Sequence, residues 1–203
     1  AQAQIASLSP VEVSLDTTPK RFIKGELQMW SSPFRRSSYS SRAATKYVLP
    51  FAIISASLIA SDRKTVGALP NTPDQTRWSG RVSQAGAWYS VAGIAGSTYL
   101  AGKFAGDDHA RETGLLALEA LGHTQVAVFA IKQVANRGRP VDNDGHGGFW
   151  RGGTSFPSGH AASAFAVATV FAYEYRDHLA VPITAYSAAT LVAASRTGAR
   201  RHW

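Results

Sequence analysis

The sequence has no cysteine. Disulfides, zinc–thiolate sites and a cysteine nucleophile are therefore excluded, while the compartment stays open, because oxidising and reducing compartments both host cysteine-free proteins. Also missing is an uninterrupted apolar run of the roughly 20 residues that a membrane helix needs. The best candidate, VLPFAIISASLIA (Val48 to Ala60), is soon followed by Asp62, Arg63 and Lys64, and the other apolar stretches are broken by Gly, Ser, Glu, His or Lys. Buried helices in a soluble protein are expected rather than membrane spans. No stretch shows the strong alternation of a strand, and no repeat or low-complexity tract is visible. Charged residues make up 17% of the chain against 45% apolar, which describes a folded chain rather than a disordered one.

What is present bounds the molecule further. A chain of 203 residues suits one domain with a sizeable core. Its net charge of +8 suits nucleic acid, a membrane surface or a small anionic substrate, and charge alone does not choose among them. Part of that charge is clustered: Arg35, Arg36, Arg42 and Lys46 lie in one acid-free stretch, and Arg196, Arg200 and Arg201 in another. The chain opens Ala1-Gln2-Ala3, which fits the A-x-A pattern left by a signal-peptidase cut; an arbitrary start fits equally well.

Residues 1–44 lack sustained periodicity and contain Pro10, Pro19 and Pro33, so an extended N-terminal arm is expected, with Trp30 and Phe34 as apolar anchors. From residue 45 to 203 the pattern is helical. Helices are expected over 46–60, 77–103, 108–136, 158–176 and 179–195, giving an all-α bundle. Asp107 or Asp108 is placed to cap the third of these. Leu115, Leu118, Leu121, Val126, Phe129 and Ile131 give that helix a broad apolar face, and Trp78, Trp88 and Tyr89 read as core or helix-interface residues. The loop 138–156, GRPVDNDGHGGFWRGGTSF, is long for a compact domain and suits a mobile wall of a pocket.

Three segments carry groups that bind anions or move protons. In TSFPSGHAASAFAVA (Thr154 to Ala168), Ser158 is a good N-cap, Gly159 lets a ligand approach the backbone, and His160 falls in the first helical turn. Such a helix start is a ready anion site, with plain capping and an incidental histidine as the alternative. In KQVANRGRP, Lys132 and Arg139 converge on one phosphate if the chain turns between them; otherwise they merely offset a helix dipole. The last stretch, SRTGARRHW, holds Ser195, Arg196 and His202. Two histidines can act as nucleophile and general acid on a phosphoryl group. The charge that spreads over its equatorial oxygens needs several fixed cations.

In this order and spacing the three segments resemble the type 2 phosphatidic acid phosphatase superfamily, which includes bacterial class A acid phosphatases and vanadium haloperoxidases. The family's pattern is Lys, six residues, Arg-Pro; then Pro-Ser-Gly-His; then Ser-Arg, five residues, His, three residues, Asp. The chain matches it at Lys132, Arg139 and Pro140, at Pro157 to His160, and at Ser195, Arg196 and His202. The resemblance implies a helical bundle and an extracytoplasmic phosphatase, soluble or peripherally attached to a membrane. Its implied substrate is a phosphomonoester or a lipid phosphate or pyrophosphate. Lys132, Arg139 and Arg196 would bind the phosphoryl oxygens, together with the Gly159 N–H and the Ser158 side chain. His160 would be the general acid and His202 the nucleophile that forms a phosphohistidine; no metal or other cofactor is implied. The pattern's Asp would fall at position 206, so a fragment cut inside its third motif, lacking the family's next helix, is expected.

Other features are weaker. Asp142 to Gly147 resembles a calcium loop only faintly, since its twelfth position is Gly153. Glu119 and His123 are spaced to pair on a helix, and Gly106 to Glu112 reads as a solvated helix start. Two rival functions remain on sequence grounds. A vanadate-dependent haloperoxidase would use the same pocket. A non-enzymatic basic protein binding membrane or nucleic acid has only the charge in its favour, and no nucleic-acid motif is visible.

Overall fold

A computed structural model describes residues 27, 30–31, 45–46, 49–140 and 148–202. Every regular element among them is a helix. They are α1 (Leu49–Ala68), α2 (Pro73–Ser83), a 3-10 turn (Gln84–Gly86), α3 (Trp88–Ala105), α4 (Asp108–Ala135), α5 (Gly159–Glu174) and α6 (Ala180–Gly198). The all-α expectation holds. The chain divides into two compact units, Ala1–Ala56 and Ser57–Trp203. The expected extended arm lies almost wholly outside the described residues, as does Phe34; Leu27, Trp30 and Ser31 are helical, and Trp30 is partly exposed.

Local chemistry explains most helix ends. The Thr72 hydroxyl caps α2 by accepting from the Gln75 N–H at 3.2 Å, with Pro73 at the first helical position. Asp107 caps α4 through the Ala110 N–H at 3.0 Å, as its sequence position suggests. Ser158 caps α5 through the Ala161 N–H. Two expectations fail. α1 does not stop at residue 60 but runs on to Ala68, since the charged residues after the apolar run do not break a helix, and Asp62 there pairs with Arg137 at 2.7 Å. Pro70 then bars further helix. The single helix expected over 77–103 is two helices broken at 84–87, where Ala87 is extended. A Cβ on Gly86 would sit 2.3 Å from a Val192 methyl and 2.9 Å from the His160 carbonyl, so the break is a tertiary close approach made there by a residue without a side chain.

In the second unit α4 packs against α3 and α5, α5 against α6, and α6 against α2. The interfaces are built from small residues. Val91, Ala95, Ala117, Leu121 and Val167 form one buried cluster, and Ala164, Ala168, Ala189 and Val192 another. At Gly114 a Cβ would fall 2.3 Å from the Tyr99 backbone nitrogen. Backbones that close leave no room for large rings, so the aromatics expected in the interfaces lie outside: Trp78, Trp88 and Tyr89 are all exposed. The apolar face of α4 is likewise split. Leu121 is buried and Leu115 and Leu118 half-buried, whereas Val126, Phe129 and Ile131 are exposed. By length and composition α4, with a mean hydropathy of 1.5 over its most apolar window, is long and apolar enough to cross a membrane.

Candidate active site

The site is assembled where α4 ends, α5 begins and α6 ends. Asn136 closes α4 in the left-handed region (φ 41°, ψ 47°), a conformation that asparagine tolerates. The chain turns there, and the returning strand of the loop is stitched to the segment it left. The Trp150 N–H donates to the Ala135 carbonyl at 3.1 Å, Arg151 to Asn136 at 3.0 Å and Ser155 to Arg137 at 2.9 Å. The Asn136 side chain accepts from the Gly153 N–H at 2.9 Å, and the Ser155 hydroxyl donates to the Gly138 carbonyl at 2.6 Å. The Arg137 guanidinium lies over the Phe149 ring at 4.8 Å. Residues 141–147 of this loop, including the faint calcium pattern, lie outside the described residues.

The stitching presents Thr154 and Ser155 to the charged groups. Lys132 Nζ donates to the Thr154 carbonyl at 2.7 Å, and Arg139 Nη2 to the Thr154 hydroxyl at 3.0 Å. The two cations, seven positions apart in sequence, thus meet on one residue. On the next residue, the Ser155 carbonyl lies 2.6 Å from His202 Nδ1. A carbonyl oxygen only accepts, so Nδ1 carries the proton and Nε2 keeps its lone pair. His202 reaches this position because Arg200 adopts a positive φ (52°), while the N–H groups of Arg201 and His202 both donate to the Arg196 carbonyl, at 3.2 and 3.3 Å.

Arg196 comes from the last turn of α6 and donates to the Ser83 hydroxyl at 3.1 Å. Among the described residues no carboxylate pairs with Arg139 or Arg196, and the Nε of each is buried without an acceptor. Unsatisfied buried guanidinium donors favour an incoming anion. His160 stands in the first turn of α5, directly after Ser158 and Gly159. The N-terminus of that helix adds partial positive charge.

The electrostatics reflect this crowding. Burial and the charges of Arg139 and Arg196 lower the Lys132 pKa. Burial, Arg196 and Lys132 lower that of His160. His202 is lowered to about 3, chiefly by burial, with the Ser155 carbonyl opposing the shift and Arg196, Lys132 and Arg139 adding to it. It is therefore neutral at any ordinary pH. An unfolded His202 takes up its proton near 6.5 and the folded one only near 3. The stability it contributes is complete above the first value and is lost as pH falls toward the second.

The sequence model of the PAP2 superfamily matches residues 113–203. Over that stretch the chain is similar to the PAP2 superfamily. No curated protein and no solved structure matches the chain. That similarity supports phosphatase-type activity in general. The PAP2 segment starts within α4 and holds all seven residues singled out from the sequence: Lys132, Arg139, Ser158, Gly159, His160, Arg196 and His202. Interacting charges or hydrogen bonds to adjacent residues tie Lys132, Arg139, His160, Arg196 and His202 together, and Ser158 and Gly159 flank His160. Sequence reasoning missed Thr154, Ser155 and Ser83. The first two act through a main-chain carbonyl or in a loop with no periodic signal. Ser83 lies before the PAP2 segment, 113 positions from the arginine it holds.

Proposed function

We propose that the chain is a metal-independent phosphatase that hydrolyses a phosphomonoester, or a lipid phosphate or pyrophosphate, through a phosphohistidine on His202. The observation that carries this reading is the meeting of Lys132, Arg139 and a neutral, oriented His202 on the consecutive residues Thr154 and Ser155. Lys132, Arg139 and Arg196 hold the phosphoryl oxygens and offset the charge that develops on them. His202 Nε2 attacks phosphorus, and the bond to the leaving oxygen breaks as protonated His160 gives that oxygen its proton. The new phosphoimidazolium keeps its Nδ1–H on the Ser155 carbonyl. Neutral His160 then takes a proton from water, the resulting hydroxide equivalent attacks phosphorus, and phosphate leaves with His202 restored. An extracytoplasmic location, in solution or at a lipid surface, belongs to the same proposal. The length of α4 and the exposed Val126, Phe129 and Val134 on it favour the lipid surface.

The test is hydrolysis of p-nitrophenyl phosphate. Turnover that persists in EDTA and is inhibited by orthovanadate is expected; activity abolished by EDTA and restored by a divalent metal would overturn the metal-independent reading.

Two further outcomes follow from the geometry. A Cβ on Gly159 would meet only a Val128 methyl at 3.8 Å, an ordinary contact. Gly159→Ala is therefore expected to leave the melting temperature unchanged or slightly raised, as thermal denaturation would read; a large drop would contradict that open contact. Second, the His160 pKa is lowered partly by cations that a bound dianion neutralises. Binding of a dianion must then raise that pKa, so affinity is highest at low pH and falls as pH rises through the His160 titration. Calorimetric titration with sulfate, which does not itself titrate near neutrality, is expected to show proton uptake that disappears in His160→Asn. Sulfate binding without proton uptake would contradict the assignment of His160.

A further inference from the structure

Beside the phosphoryl site, between α2 and the end of α6, lies an open cavity of about 320 Å³. Arg77, Arg81, Arg196 and Arg201 line it, with Ser83 and Gln84 among its other walls, and none of its lining residues is acidic. Among the described residues the one carboxylate paired with these arginines is Asp74, 3.7 Å from Arg77 and highly exposed, so water largely screens it. Arg81 leans on the Trp78 ring at 5.1 Å, which fixes its stem without neutralising its head.

The cavity and the phosphoryl site share a wall. Arg196 lines the cavity and also lies within electrostatic range of Lys132, His160 and His202. The turn at Arg200 sends His202 toward Ser155 and leaves the next-door Arg201 at the cavity. Like charges gathered this way repel one another, and burial with the charges of Arg139 and Arg201 lowers the Arg196 pKa. Four guanidinium groups around one open volume have a cost in the empty protein that an anion relieves. The volume exceeds what a single tetrahedral anion fills, leaving space for the atoms that would join it to the reacting phosphate.

We propose that this cavity is a second anion subsite, which takes the non-reacting phosphoryl group of a substrate that carries two. The proposal rests on the phosphatase reading above. Arg196 then serves both groups, while Arg77, Arg81 and Arg201 serve the distal one and select substrates of that class over simple monoesters.

The test compares phosphate release from alkanediol bisphosphates, ethylene to pentylene, with release from the matching alkyl monophosphates. It uses the whole chain and Arg77→Gln/Arg81→Gln, two exposed positions on α2. The best bisphosphate is expected to exceed its monophosphate in kcat/KM by about tenfold or more, mainly through KM, as charge-assisted hydrogen bonds of this kind supply. In the double variant the ratio falls close to one while p-nitrophenyl phosphate turnover is unchanged. Equal kcat/KM for both substrate types in the unaltered chain, or a preference that survives the double substitution, would overturn the subsite and leave the phosphatase reading standing. A chain inert toward every ester would instead overturn the phosphatase reading, and the subsite proposal with it. Weakened binding of the double variant to phosphatidylglycerol vesicles, with the bisphosphate preference intact, would assign the cavity to lipid headgroups and overturn the proposal.

Discussion

His202→Ala is expected to lower kcat for phosphate-ester hydrolysis by about 10⁴-fold or more, the scale seen when a nucleophile is removed. The case rests on what surrounds the ring. His202 is 5% exposed, its Nδ1 is held by the Ser155 carbonyl at 2.6 Å, and its pKa near 3 leaves Nε2 unprotonated throughout the working range. Truncation also strands the Ser155 carbonyl without its donor, at a cost of about 1–3 kcal/mol in stability. A folding defect and a chemical defect are separated by sulfate binding, because Lys132, Arg139 and Arg196 remain in the variant. Retained sulfate affinity with lost turnover is the expected pair. Turnover within tenfold of the unaltered chain would remove His202 from the chemistry.

His160→Asn is expected to act selectively. A general acid matters in proportion to the leaving group's need for a proton. Alkyl phosphates, whose alkoxides are poor leaving groups, should lose about 10²–10⁴-fold in kcat/KM. p-Nitrophenyl phosphate, whose phenolate departs unaided, should lose far less. The measurement is the dependence of kcat/KM on leaving-group pKa, which steepens in the variant. Equal losses on both substrate types would give His160 a binding role only.

The motif residues were legible because spacing encodes them. Lys132 and Arg139 flank a helix end, Ser158 to His160 open a helix, and Arg196 and His202 close one, and each of these placements stands in the structure. The Asp107 cap was legible for the same local reason. What failed was tertiary. The break at Gly86 follows from the approach of Val192 and His160, 106 and 74 positions away in the sequence, and no local propensity reports them. The exposure of Trp78, Trp88 and Tyr89 follows from interfaces built on Ala and Gly, where size rather than hydropathy decides who is inside. The carbonyl of Ser155 was invisible because every residue has one; only the fold says which carbonyl meets the imidazole.

The most direct measurement is rapid acid-free quenching during turnover of ³²P-labelled substrate, followed by mass-spectrometric mapping of the label. The expected result is a base-stable, acid-labile phosphate on the Nε2 of His202, absent from His202→Ala. Label on another residue, or steady turnover through His202→Ala, would contradict the central claim that this imidazole is the nucleophile.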